Sequence, residues 1–226
     1  MKNLIYIFTF IITSTVIAQT TTSLDFEKQQ LKQALAYGDN AVAAASMYAI
    51  INIEGPQSTY KDSLAYLYFN VRNYSSCYLV TNDILKNNPN SKGLLEMQAI
   101  SLESLGAYSK AVEVYETLLA KTNNNYHAYK VAGLKLALNK FEEASSAIKK
   151  ADQLPDNGKM DVTFKVNKNY NENVNLKAAI AYIEGIIDLN LKNNAEAKLS
   201  FERAIKLFPN FVLAKGKLEA LNATKE

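Results

Sequence analysis

The sequence predicts an all-α protein made of consecutive helix pairs. Small residues recur at a fixed period, apolar residues follow them at helical spacing, and turn-forming residues separate the predicted helices. The recurring small residues, called anchors below, are Ala43, Cys77, Ala111, Ala144 and Ala197. The first four are separated by 34, 34 and 33 residues, and the last follows after 53, which is one period of 34 plus an insertion of 19. Five units therefore share one frame.

Other positions obey the same frame and define two helices in each unit. Four and seven residues after the anchors come apolar side chains such as Met47 and Ile50, or Tyr115 and Leu118. Offsets of four and seven lie on one face of a helix. Twelve residues before the last four anchors stand Ala65, Ala99, Ala132 and Gly185. Two small positions in each unit allow two helices to approach each other closely.

Turn-forming residues lie between the two helices of each unit and after the second helix. Gly38, Gly106 and Asn139 stand between the helices, where Gly and Asn tolerate the left-handed geometry of a helix C-terminus. Pro89 and Pro209 each follow an anchor by twelve residues. A proline ends a helix because the residue before it is pushed out of the α region. Each unit is therefore predicted to be a helix, a short turn and a second helix.

This order of small, small, large apolar and proline positions on a period of 34 resembles the tetratricopeptide repeat family. Residues 105–111 and 193–209 carry the resemblance most clearly. It implies a right-handed α-solenoid within residues 19–226, with about five helix-turn-helix repeats, at about 24–57, 58–91, 92–124, 125–154 and 178–211. Residues 212–226 have apolar side chains on one face and are predicted to form a C-terminal capping helix.

The segment at about residues 155–175, before the last repeat, does not fit the frame. Residues 160–166 alternate apolar and polar side chains with the period of a β-strand, which places Val162, Phe164 and Val166 on one face. Such an exposed apolar edge is unfavourable, so these three residues are expected to dock. Two alternatives remain. The segment packs internally, as a hairpin with residues 170–174 or along neighbouring helices, or it is a strand donated to a partner.

The first eighteen residues predict a cleaved secretory signal peptide. Lys2 precedes an apolar run over residues 4–12, and residues 16–18 end in Ala, as a signal-peptidase site does. The alternative is a membrane anchor, but a bilayer crossing needs about 20 apolar residues, and residues 13–15 are polar. We expect the mature chain to begin at Gln19, to have no stable membrane insertion, and to be secreted or periplasmic.

Composition argues against several classes of function. The chain is 48% hydrophobic and 21% charged, with a net charge of +3 and no basic cluster, so it should fold and should not bind nucleic acid. Cys77 and His127 are the single cysteine and the single histidine, whereas zinc sites made of Cys and His usually need three or four. No nucleophile with a nearby base can be identified. We therefore predict no metal, no cofactor and no enzymatic activity.

In the resembled family, the first helix of each pair lines a concave face that holds an extended peptide or a partner's helix. Carried over position by position, the resemblance implies a partner-binding groove made of Asp62, Tyr66, Phe69, Glu96, Ile100, Tyr126, Tyr129, Tyr182 and Ile186. Tyrosine suits such a groove because two torsions fix a large amphipathic surface. For each of these residues the alternative is packing between repeats.

Two functions follow from these observations, and both are protein–protein interactions. The first is a non-catalytic extracytoplasmic module that binds a peptide or protein segment in the groove. The alternative is a constitutive structural subunit of an envelope complex, docked through its convex face or through the insertion.

Overall fold

The structure is a computed structural model that describes residues 23–156 and 160–223. These residues form eleven α-helices and one β-hairpin. The helices are α1 (residues 23–37), α2 (Asn40–Glu54), α3 (Tyr60–Asn70), α4 (Tyr74–Leu85), α5 (Lys92–Ser104), α6 (Tyr108–Thr122), α7 (Asn125–Ala137), α8 (Phe141–Gln153), α9 (Leu176–Asn190), α10 (Asn194–Leu207) and α11 (Val212–Ala223). The predicted signal peptide and the predicted mature start at Gln19 lie outside the described residues.

The chain divides into two compact units, one that ends at Ser101 and one that begins at Leu102. In the first unit, α2 packs on α3 and α3 packs on α4, and α1 shares a hydrophobic cluster with α2 and α3. In the second unit, each helix from α6 to α11 packs on the next one, and α7 also contacts α9. Both units are thus built from consecutive helix-turn-helix packing. The predicted all-α fold class is confirmed.

The anchors lie in the interior, where neighbouring helices approach each other. All five have no exposed surface: Ala43, Cys77, Ala111, Ala144 and Ala197. Gly185 shows how tight this approach is, because a Cβ atom there would lie 2.6 Å from Cε1 of Phe201. The small residues recur in the sequence because a larger side chain would push the two helices apart.

Each helix pair turns through a residue in the left-handed region, five positions before its anchor. These residues are Gly38, Arg72, Gly106, Asn139 and Lys192, with φ of 71°, 59°, 73°, 58° and 62°. The amide of the next residue then donates to a carbonyl five positions back, as from Asp39 to Ala34 at 2.8 Å. This is the Schellman arrangement, which satisfies carbonyls at a helix end. Arg72 and Lys192 are neither Gly nor Asn, so helix packing rather than local preference holds the turn at these two positions.

The inserted segment is an antiparallel β-hairpin of β1 (Asp161–Lys165) and β2 (Asn171–Asn175). Phe164 pairs with Glu172 and Val162 pairs with Val174 across the two strands. Strand β2 leads directly into α9. The first turn of α9 is capped because Asn175 Oδ1 accepts a hydrogen bond from the amide of Ala178 at 2.9 Å. The predicted extended segment is confirmed, and it takes the form of the internal hairpin rather than an unpaired strand.

Candidate functional site

The first unit contains an open groove with a volume of about 950 Å³. Its walls come from α1, α3 and α5, which are the first helices of their pairs, and α2 adds Asn40 and Met47. The helical frame explains this arrangement. Leu31 and Leu35 lie four residues apart on α1, and Tyr66 and Asn70 lie four apart on α3, so each pair projects from one face of its helix.

The groove combines a buried apolar lining with exposed apolar edges. Leu31, Leu67 and Leu94 are 6%, 8% and 4% exposed. Leu35 and Tyr66 also line the groove but remain 49% and 61% exposed. Contiguous exposed apolar surface beside a concavity is typical of sites that bind another molecule.

Polar groups are few in this groove. Among the described residues that line it, Asp62 is the one with a charged side chain, while Ser63, Asn70 and Ser91 add neutral hydrogen-bonding groups. Asp62 is exposed and lies in the first turn of α3, where the helix dipole favours a negative charge. It precedes Tyr66 by one helical turn. The groove therefore offers one anionic point next to a large apolar surface.

The second unit packs its aromatic residues into the core. Tyr129 is 9% exposed and Tyr182 is 7% exposed. The ring centroid of Tyr182 lies 4.9 Å from that of Phe211, 5.4 Å from that of Phe164 and 5.8 Å from that of Phe201. Burial raises the pKa of both tyrosine hydroxyls. This corrects the expectation that these two rings line an open groove, because neighbouring side chains cover them.

Solved structures similar to this chain identify the fold. No protein-family model matches the sequence, and no curated protein matches it. YrrB, described as a TPR (tetratricopeptide repeat) protein with an unusual peptide-binding site, matches with a TM-score of 0.64 at 15% identity, over 92% of this chain and 98% of YrrB. TTC0263, a thermophilic TPR protein in Thermus thermophilus, matches with a TM-score of 0.50 at 14% identity, over 87% of this chain and 99% of TTC0263. The chain has the tetratricopeptide repeat fold.

A third match is the structure of MamA from residue 41 to its end, from Desulfovibrio magneticus RS-1, with a TM-score of 0.61 at 14% identity, over 84% of this chain and 97% of that one. Within this fold, the groove of the first unit lies on the first helices of the repeats. Two of the nine predicted groove residues, Asp62 and Tyr66, line it. Leu35 and Val71 also line the groove and were not among the predicted residues, although Leu35 follows the apolar Leu31 by one helical turn.

The other predicted groove residues lie elsewhere on the tetratricopeptide framework. Phe69 is half-buried and packs edge-on against Tyr74, with ring centroids 6.3 Å apart. Glu96 is exposed and Ile100 is half-buried, but neither lines the groove. In the second unit, Tyr126 and Ile186 are half-buried. Of the predicted groove residues in the first unit, Phe69, Glu96 and Ile100 therefore lie outside the groove.

The insertion docks within its own unit. Val162, Phe164 and Val166 are half-buried, and the first two pack against hydrophobic clusters of the second unit. Glu172 is 4% exposed, and its Oε2 accepts from the amide of Val212 at 3.1 Å. The hairpin thus satisfies a backbone donor at the start of α11, for which the helix itself has no backbone acceptor.

Other reactive groups in the described residues are held in structural contacts. Cys77 is fully buried, and burial raises the pKa of its thiol, so the nucleophilic thiolate is disfavoured. His127 is 3% exposed, and its Nδ1 lies 2.8 Å from Oγ1 of Thr122. Within residues 23–156 and 160–223, no three His, Cys, Asp or Glu residues cluster so that they could hold a metal ion. No described helix combines the length and apolar character that a bilayer crossing requires.

Proposed function

We propose that the protein is a non-catalytic extracytoplasmic interaction module, and that the groove of the first unit holds a peptide or protein segment of its partner. The observation that carries this proposal is the groove itself, an open apolar concavity of about 950 Å³ on the first helices of the repeats. YrrB, which has the same fold, is described as having a peptide-binding site, and this supports the class of ligand.

Tyr66 is the main binding residue in this proposal. It projects into the groove while 61% exposed, so a ligand can bury much of its ring. Only two torsions have to be fixed, and the hydroxyl can still bond to a ligand's backbone. Truncating an aromatic side chain at the centre of an interface typically costs about 2 kcal/mol of binding free energy, or roughly thirtyfold in affinity.

Asp62 determines the preferred charge of the ligand. Because the carboxylate stands one turn from Tyr66, a ligand with Lys or Arg next to a large apolar residue can satisfy both side chains. An exposed ion pair of this kind contributes about 0.2 to 1 kcal/mol and is weakened by salt. The ion pair therefore increases the selectivity and the rate of association more than it increases the affinity.

The extracytoplasmic part of the proposal rests on residues 1–18. Their basic start, apolar run and terminal Ala18 have the features of a cleaved secretory signal. The intact mass of the exported protein tests this, because it should correspond to a chain that begins at Gln19. A mature protein that retained residues 1–18 in a membrane fraction would exclude it.

A constitutive subunit of an envelope complex is the second candidate. The second helices α4 and α10 expose Leu79 and Leu199, which are 62% and 58% exposed and each follow an anchor by two residues. Such positions can contact a permanent partner. The insertion favours this candidate less, because its apolar face packs within its own unit.

Selection of peptides from a displayed random library tests the binding function. We expect enrichment of sequences with an aromatic or large aliphatic residue beside Lys or Arg. Tyr66→Ala should weaken a selected peptide roughly thirtyfold, and Asp62→Asn about two- to fivefold with a smaller salt dependence. Tyr37→Ala is the matched control, because Tyr37 is 78% exposed and does not line the groove. Selected peptides that bind a folded Tyr66→Ala protein as tightly as the unchanged protein would exclude the groove.

A further inference from the structure

The hairpin of β1 and β2 has two outer edges, and the structure holds them differently. On the β2 side, Glu172 accepts from the amide of Val212 at 3.1 Å, and Nδ2 of Asn175 donates to the carbonyl of Leu207 at 3.1 Å. These bonds attach β2 to the turn between α10 and α11. β1 packs on β2 and on α9, but no backbone group of β1 bonds to a described residue outside the hairpin. The outer edge of β1 is therefore open.

The backbone groups that point toward this open edge belong to every second residue of β1. Hydrogen-bonded pairs in an antiparallel ladder alternate with pairs whose backbone groups point away from each other. The amide of Val166 donates to the carbonyl of Tyr170 at 3.0 Å, which fixes the alternation. The N–H and C=O groups of Asp161, Thr163 and Lys165 therefore point away from β2. Such a row of donors and acceptors is a template for a further strand.

The side chains of the same residues favour one way of adding that strand. All three are exposed, and within the hairpin Asp161 lies opposite Asn175 and Lys165 opposite Asn171, which are neutral. When a second β1 pairs antiparallel about Thr163, each Asp161 lies opposite the Lys165 of the other copy. Opposite charges stabilise a cross-strand pair, whereas a parallel pairing in register would place like charges opposite each other. The edge of β1 is thus complementary in charge to itself.

We propose that the open edge of β1 is a self-association site, at which a second copy of this chain adds its own β1 in antiparallel orientation. The two hairpins then form one four-stranded sheet with the two β1 strands at its centre. Each of the three outward-pointing residues exchanges two backbone bonds with the residue opposite, or about six bonds in all. The pairing is two-fold symmetric, so it closes at a dimer. This inference does not depend on the groove of the first unit.

The size of the contact makes this dimer a weak one. The five residues of β1 in each copy carry the contact, whereas a standard interface buries about 800 Å² on each partner, from roughly 20 to 30 residues. Small interfaces are typical of transient association. We expect a dissociation constant on the order of 10 to 100 μM. The dimer therefore forms only where the protein is concentrated.

Charge reversal at the two ends of β1 tests the pairing, with sedimentation equilibrium of the purified protein as the measurement. Asp161→Lys and Lys165→Asp each place like charges opposite each other, so each variant alone should dimerise at least about tenfold more weakly than the unchanged protein. An equimolar mixture of the two should form a heterodimer with about the original affinity, because opposite charges face each other again. Lys168→Asp, at an exposed position outside β1, is the control and should dimerise like the unchanged protein.

A cysteine at the centre of the pairing reports its register. Opposite residues of a hydrogen-bonded antiparallel pair have Cα atoms about 5.5 Å apart, a distance that a disulfide spans. Thr163→Cys should therefore give a covalent dimer on mild oxidation. Asn173→Cys is the control, because Asn173 is exposed on the same face but lies on β2, and it should stay monomeric. The natural Cys77 is fully buried and should not react.

Three results would overturn the proposal. The first is an unchanged protein that stays monomeric up to about 1 mM, well above the expected dissociation constant, which would leave the open edge to a strand of another protein. The second is a folded Asp161→Lys or Lys165→Asp protein that dimerises as tightly as the unchanged one. The third is an Asn173→Cys protein that cross-links as readily as Thr163→Cys. Circular dichroism establishes that each variant is folded, and all substituted positions are exposed.

Discussion

The ring of Phe164 stands edge-on to the ring of Tyr182, with 5.4 Å between the centroids and 85° between the planes. Edge-to-face contact places the positive ring edge against the negative ring face and stabilises such pairs by about 0.5 to 1.5 kcal/mol beyond area burial. Phe211 completes the group at 5.2 Å from Phe164. This contact joins the insertion to the last repeat.

Phe164→Ala should destabilise the second unit by about 2 to 3 kcal/mol. A fully buried Phe typically costs about 3 to 5 kcal/mol when truncated to Ala, and Phe164 is half-buried. Thr163→Ala is the control on the exposed face of the same strand and should cost less than about 0.5 kcal/mol. Urea unfolding followed by circular dichroism measures both. Equal effects of the two substitutions would mean that the hairpin contributes no packing.

Glu172 should act as the N-terminal cap of α11 from outside the helix. Glu172→Gln removes the charge near the helix N-terminus and should cost about 0.3 to 1 kcal/mol, while Glu172→Ala also removes the acceptor and should cost about 1 to 2 kcal/mol. Hydrogen exchange of the amides in Val212–Ala223 should accelerate in that order. Asn171→Ala, at an exposed position of the same strand, is the control and should leave the exchange unchanged. If the amides of α11 remain equally protected in Glu172→Ala, Glu172 does not cap the helix.

Substituting alanine for two of the glycines should change the stability of the protein in opposite directions. A Cβ at Gly185 would lie 2.6 Å from the Phe201 ring, whereas a Cβ at Gly133 would have no neighbour within 4 Å. Gly185→Ala should therefore destabilise by about 1 to 3 kcal/mol. Gly133→Ala should stabilise by roughly 0.5 to 1 kcal/mol, because alanine is the better helix former. Thermal melts of both variants decide this, and a Gly185→Ala protein that melts no lower than the unchanged protein would contradict the packing described for α9 and α10.

Alkaline pH should destabilise the first unit through Tyr68. Burial, with the hydrogen bond to Tyr48, raises the pKa of Tyr68 to about 12, whereas an unfolded tyrosine titrates near 10. The stabilising contribution is thus complete below about pH 10 and is lost as pH rises toward 12. Tyr68→Phe should make stability less dependent on pH between about 9 and 11 in urea titrations. Tyr37→Phe, at an exposed position, should leave that dependence as it is in the unchanged protein.

The repeat framework could be predicted from sequence because its signals are local and recur five times. The anchors, such as Ala111 and Ala197, recur at a fixed period that can be recognised in the sequence. Close contact between helices explains why these positions are small. The left-handed turns are only partly visible. Gly38 and Gly106 favour that geometry, but Arg72 and Lys192 do not, and only their place in the frame identifies them.

The candidate site could be predicted only in part, because periodicity identifies the face of a helix but not what covers that face. Tyr66 and Tyr182 were both expected to line a groove. Tyr66 is exposed, whereas Tyr182 is covered by Phe164 from an insertion. That packing is non-local, and the sequence of the insertion predicts a strand without specifying the surface it lies on.

Methionine methyl resonances provide the most direct test of the central claim, that the groove of the first unit binds a peptide. Met47 and Met97 line the groove, whereas Met160 precedes the hairpin and is 41% exposed. The protein labelled with ¹³C at the methionine methyls, assigned by single Met→Leu variants, would be titrated with a library-selected peptide. We expect saturable shifts of the Met47 and Met97 resonances with the Met160 resonance unchanged. A bound peptide that shifts Met160 and leaves Met47 and Met97 where they are would rule out binding in the groove.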